Sequence, residues 1–124
     1  MERTIRTAIW VVAGIAAALP RLAFSQDVDP GEQVYAQCSA CHSVDGTNGV
    51  GPSLKGVVGR KAGSVAGFRY SRAMKGANIV WEDKTLDAYI ADPQKVIPGN
   101  VMPFAGIADA KQRAEVVAYL QNLK

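Results

Sequence analysis

The sequence predicts one small all-α domain in which short helices are joined by long loops. Two observations carry that expectation. Apolar residues recur at helical spacing near the end of the chain, where Val116, Tyr119, Leu120 and Leu123 form one stripe. The middle, Asp45 to Gly76, holds eight glycines in 32 residues without strand-like alternation, and no strand–helix–strand pattern appears. With 124 residues, 48% hydrophobic and 20% charged, and no repeat or low-complexity tract, one domain suffices.

The first residues read as an export signal. Arg3 and Arg6 precede an apolar run from Ala8 to Leu19, and small residues Ala23 and Ser25 follow. The run is shorter than the roughly 20 residues a membrane-spanning helix needs. Residues 1–25 are therefore expected to be a cleaved signal peptide, with an uncleaved anchor as the alternative, and residues 26–124 the mature domain in the periplasm. Removing residues 1–25 leaves 11 basic and 10 acidic side chains. The pI near 9.0 thus owes much to targeting, and nucleic acid is excluded as a partner.

The elements follow in order. A helix is expected from Pro30 to Ser39, with Asp29 as N-cap, Pro30 at its first position and Glu32 in its first turn. Turn signals at DGTNG, GP and GR break the chain from Asp45 to Gly76, and so long a loop needs an anchor. Lys84 to Ala91 reads as a short helix ended by Pro93, and Asp109 to Leu123 as a longer one.

The stretch AQCSACHS holds both cysteines and the only histidine, Cys38, Cys41 and His42. A redox dithiol would begin a helix after a strand, and no strand precedes it. A structural zinc site needs four ligands, and these residues supply three. A disulfide between Cys38 and Cys41 would close a very small loop and stabilise little, although an oxidising compartment permits it. The remaining chemistry is c-type haem attachment, signalled by Cys-x-x-Cys-His. Two thiols add across the two vinyl groups on one porphyrin edge, and the next residue, histidine, is held under the ring to bind iron.

One histidine cannot supply two axial ligands. Beyond Met1 the chain has two methionines, Met74 and Met102. Met102 stands in IPGNVMPFAG, where Pro98, Gly99 and Pro103 stiffen the backbone, whereas Met74 in SRAMKG has no such bracing. Met102 is the expected iron ligand, since methionine with histidine is an established haem pair.

From Gly31 to Leu123 the sequence resembles the class I cytochromes c, of the mitochondrial and bacterial c2 types. The likeness rests on CSACH, GPSLKGVVGRKAG, GFRYS, IVW, IPGNVMPFAGI and the final AYL. It implies helices and long loops wrapped round one covalent haem c and its iron, with the first and last helices crossing at Gly31, Tyr35, Val116 and Tyr119. It implies that the Pro52 carbonyl accepts the Nδ1 hydrogen of His42 and that Tyr89 lies near the Met102 sulfur. It further assigns Arg60, Tyr70, Ser71, Trp81 and Asn100 to the hydrogen bonds around the haem propionates.

The function implied is electron transport rather than catalysis by a monomer in transient contact with membrane complexes. Its donor would be a quinol-oxidising cytochrome bc complex, and its acceptor an oxidase or a photosynthetic reaction centre. The alternative is a haem c subunit of a larger periplasmic oxidoreductase. Departures from the family pattern bear on partners. Gln37, Gln94, Val101 and Ala108 fall where mitochondrial relatives carry lysines round the haem edge, while Lys95 remains. Met74 stands where relatives often have asparagine, and Val96 replaces a frequent aromatic. Docking is therefore expected to rest on apolar contact near Val101 and Ala108 and to respond weakly to salt. The exception would be a docking role for the basic run Lys55, Arg60, Lys61, Arg69, Arg72 and Lys75, which has no acidic residue within it.

Overall fold

The structure, a computed structural model, describes residues 28–124, so the expected export segment lies outside the described residues. Its helices are α1 (Pro30–Tyr35), α2 (Arg72–Lys75), α3 (Asp83–Ala91), α4 (Pro93–Val96) and α5 (Ala110–Gln121). No strand occurs among the described residues, only an antiparallel bridge between Lys61 and Val80.

Helix α1 begins as expected. The Asp29 carboxylate accepts from the N–H groups of Gly31 at 2.7 Å and Glu32 at 3.3 Å, satisfying amides that the first turn leaves unpaired. It ends at Tyr35 rather than Ser39. Beyond Ala36 the chain winds more tightly, with Gln37 N–H donating to Val34 O at 3.1 Å and Cys38 N–H to Tyr35 O at 2.7 Å. Such three-residue turns are common where a helix ends, and here they lead the chain into the cysteine segment.

Helix α5 is capped by Asp109, which accepts from Lys111 N–H at 2.8 Å and Gln112 N–H at 3.0 Å. It crosses α1 at Gly31, where any Cβ would overlap the Glu115 carbonyl oxygen and the Tyr119 Cβ. Val34 and Tyr35 are buried on α1, and Val116, Val117 and Leu120 on α5, while the Tyr35 and Tyr119 rings lie 5.2 Å apart. Helix α3 packs on the same frame, and Arg113 Nε donates to Asp87 Oδ1 at 2.7 Å.

Two single-turn helices escaped the sequence reading. Ser71 starts α2 by accepting from Met74 N–H at 3.1 Å. Pro93 does more than end α3, because Asp92 accepts from Lys95 N–H at 3.2 Å and makes Pro93 the first residue of α4. Elements of four residues are too short to show a period.

The glycine-rich middle is tied to the frame by backbone hydrogen bonds. Leu54 N–H donates to Ser43 O at 2.8 Å, Gly56 N–H to Leu123 O at 2.8 Å, Gly59 N–H to Trp81 O at 2.7 Å and Ala62 N–H to Ile79 O at 2.7 Å. Its buried side chains, such as Val57 and Ala62, join the core of the helices.

Candidate functional site

Helices and loops together enclose an apolar cleft of about 270 Å³. Core residues Tyr35, Val57, Trp81, Leu86 and Tyr89, with the partly buried Leu54, line it. Left unoccupied, it would expose these apolar walls to water. The fold is built round an apolar occupant.

One side of the cleft carries the cysteine segment. Cys41 N–H donates to Cys38 O at 3.1 Å and His42 N–H to the same oxygen at 3.0 Å, which gathers the three side chains on one turn. Both thiols are free and half-buried. Burial pushes the Cys38 thiol above its ordinary range, and neighbouring Cys41 adds to the effect. His42 Nδ1 lies 2.7 Å from the Pro52 carbonyl oxygen. A carbonyl only accepts, so Nδ1 carries the hydrogen and Nε2 is left as the donor nitrogen. Tyr35 Oη donates to His42 O at 2.5 Å. Gly51 completes the clamp: a Cβ there would lie 2.5 Å from His42 Cε1 and 2.7 Å from Nδ1, so only glycine lets the ring sit where it does.

Another loop lining the cleft presents Met102. Its N–H donates to Asn100 Oδ1 at 3.0 Å, and Asn100 Nδ2 donates to Pro93 O at 3.0 Å and Ile97 O at 2.9 Å. Gln94 ties the same loop, donating to Asn100 O at 2.9 Å and accepting from Gly99 N–H at 3.1 Å. The turn itself uses Gly99 at φ +84°, where a side chain would be strained. Tyr89 Oη lies 4.0 Å from Met102 Sδ, and burial pushes its phenol up to about 12. Met74 also lines the cleft, but without a comparable set of bonds around it.

Arg60, Tyr70, Ser71 and Trp81 form a further wall. The Arg60 guanidinium donates to Ser53 O at 3.0 Å and Lys55 O at 3.1 Å, and burial lowers its pKa. Tyr70 Oη accepts from Val65 N–H at 3.1 Å, and Ser71 Oγ caps α2. Neither hydroxyl donates to another described residue, so both remain available to an anionic group. Asn100 differs from the rest of this set. It does not line the cleft, and its amide hydrogens are committed to Pro93 and Ile97, so its work is on the Met102 loop. Gln94 and Gly51 were missed as site residues, because their roles lie in contacts that spacing does not reveal.

The donor set fits a covalent haem: two free thiols and an imidazole with one nitrogen unoccupied, a thioether on the same cleft, apolar walls, and polar hydrogens beside them. The comparisons agree. The family model described as cytochrome c matches residues 28–124. Cytochrome c2 iso-2 of Magnetospirillum fulvum is 52% identical over 90 residues, covering 72% of this chain and 94% of that protein. Cytochrome c2 of Rhodomicrobium vannielii is 43% identical over 114 residues, covering 90% of this chain and 85% of that protein. Among solved structures, cytochrome cH from Methylobacterium extorquens superposes with a TM-score of 0.72 at 45% identity, covering 74% of this chain and 94% of that one.

Proposed function

The chain belongs to the cytochrome c family, and from that premise we propose that it carries single electrons across the periplasm between membrane redox complexes. It is an electron carrier rather than an enzyme, and its cofactor is one covalent haem c with its iron. When bound, haem c supplies a one-electron iron couple. Cys38 and Cys41 would hold the porphyrin through two thioethers. His42 offers Nε2 to the iron because Pro52 engages Nδ1, and this bond is the observation that carries the assignment. Met102 offers its sulfur from the loop that Asn100 braces, and Tyr89 stands beside that sulfur. A thioether in place of a second imidazole favours the reduced state, so a relatively high midpoint potential is expected. Arg60, Tyr70, Ser71 and Trp81 would donate to the propionates, whose burial would otherwise be costly.

Periplasmic location rests on the export pattern of residues 1–25. Among the described residues no helix is long and apolar enough to cross a membrane. The donor proposed is a quinol-oxidising cytochrome bc complex, and the acceptor an oxidase or photosynthetic reaction centre, met by a monomer in transient contacts. Met102→Ala should abolish the weak near-infrared absorption of a ferric iron–sulfur bond and lower the potential, while Met74→Ala leaves both unchanged. The opposite pattern would reject the ligand assignment.

A further inference from the structure

Two side chains brace the loop that presents Met102, and they differ in kind. Asn100 is 6% exposed and works from inside, with its amide committed to Pro93 O, Ile97 O and the Met102 N–H. Gln94 works from outside. It stands on α4, exposed to solvent, and its amide donates to Asn100 O at 2.9 Å while accepting from Gly99 N–H at 3.1 Å. Engaging a carbonyl and an N–H of neighbouring residues with one group suits an amide. A lysine offers only donors there, and a carboxylate only acceptors.

The loop has few other fastenings. Its far end is pinned to α3, where Ile107 N–H donates to Ile90 O at 2.8 Å and Gly106 lies so close to Ala91 O that a Cβ would overlap it. Its near end is pinned to α4 by Ile97 N–H, which donates to Pro93 O at 3.0 Å. Between these points the backbone bonds of residues 101–105 stay within the loop, from Met102 N–H to Asn100 Oδ1 and from Phe104 N–H to Met102 O at 2.9 Å. Met102 and Phe104 pack against the core, whereas Val101 is 75% exposed. The place of Met102 therefore follows that of Asn100. Among the described residues Gln94 is the one side chain outside the loop that bonds its backbone.

We propose that Gln94 is a positioning residue that holds the Met102 loop shut, and that release of its two bonds is the step by which the thioether yields its place on the iron to a small ligand. The inference rests on the electron-carrier reading with Met102 as ligand, and deepens it by naming what keeps competing small molecules off the iron. Water competes for the amide of an exposed glutamine, so these bonds open more readily than those of buried Asn100. Loop opening starts on the outer side.

The test mixes ferric holoprotein with cyanide at pH 7 and follows the rate of the change in the haem spectrum. Q94A and Q94M should bind cyanide roughly tenfold faster than the parent, as expected for losing two hydrogen bonds of ordinary net strength. Methionine matches the length of glutamine without its polar atoms, so Q94M separates bonding from simple cover. D109A is the matched control. It removes the cap of α5 at a comparable cost in stability, but that cap stays formed while the loop opens, so cyanide should bind within about twofold of the parent rate. Amide exchange of the Gly99 N–H in the reduced holoprotein should quicken in both Gln94 variants and not in D109A. A parent-like cyanide rate in Q94M, or a D109A rate as fast as that of Q94A, would overturn the proposal. A parent protein without the near-infrared iron–sulfur absorption would instead overturn the ligand assignment on which it rests.

Discussion

Where α1 crosses α5, apolar side chains meet one another; along the wall from residue 45 to 81 many of them meet the cleft. The crossing has Val34 and Tyr35 against Val116, Val117 and Leu120, with a glycine at the point of closest approach. The wall has one four-residue helix, one bridge, and a set of single hydrogen bonds such as Asn48 Nδ2 to Ala66 O at 3.0 Å. Tyr35, Val116 and Leu120 of the frame also line the cleft, so the frame shares in its filling, but the wall, with fewer contacts of its own, depends more heavily on whatever fills that space.

The sharpest way to break this contrast is to remove the attachment. Cys38→Ala with Cys41→Ala should leave a chain that no longer unfolds cooperatively. Without the ring the apolar walls of the cleft lie open to water, and the total stability of a small domain is only about 5–15 kcal/mol. Circular dichroism and thermal melts would show it. A sharp transition in that apoprotein would mean that the wall stands without haem.

The frame has its own point of failure. Gly31→Val should destabilise the holoprotein by about 3 kcal/mol, because the new side chain meets the backbone of α5 rather than a movable side chain. Denaturant titration would measure this, and the haem spectrum should change little. A large spectral change would show that the two regions are coupled more tightly than the packing implies.

A smaller effect belongs to the Met102 loop. Asn100→Ala leaves the Met102 N–H and the Pro93 and Ile97 carbonyls without their partner. It should cost about 2 kcal/mol and weaken the iron–sulfur absorption. Unchanged absorption with the same loss of stability would make Asn100 a prop of the fold alone.

The same contrast explains what could be read from the sequence. Asp29, Pro30 and Asp109 announced their helices because capping is local chemistry, and the stripe Val116, Tyr119, Leu120 has a period. The Cys38–Cys41–His42 set was legible because its spacing is the chemistry. The turns after Ala36, the helices α2 and α4, and the roles of Gly51 and Gln94 were not. Each depends on a partner distant in sequence or on an element shorter than one period. Asn100 illustrates the limit most clearly, since its amide could serve a propionate or the backbone, and the fold commits it to the backbone.

The central claim is that Cys38 and Cys41 bind the haem covalently. Denaturing the purified protein and extracting it with acid and acetone tests that directly, because thioether bonds survive unfolding and axial ligation does not. The colour should stay with the polypeptide, and the variant with Cys38→Ala and Cys41→Ala should yield no coloured polypeptide at all. Haem that passes into the acetone from the unaltered chain would contradict the account.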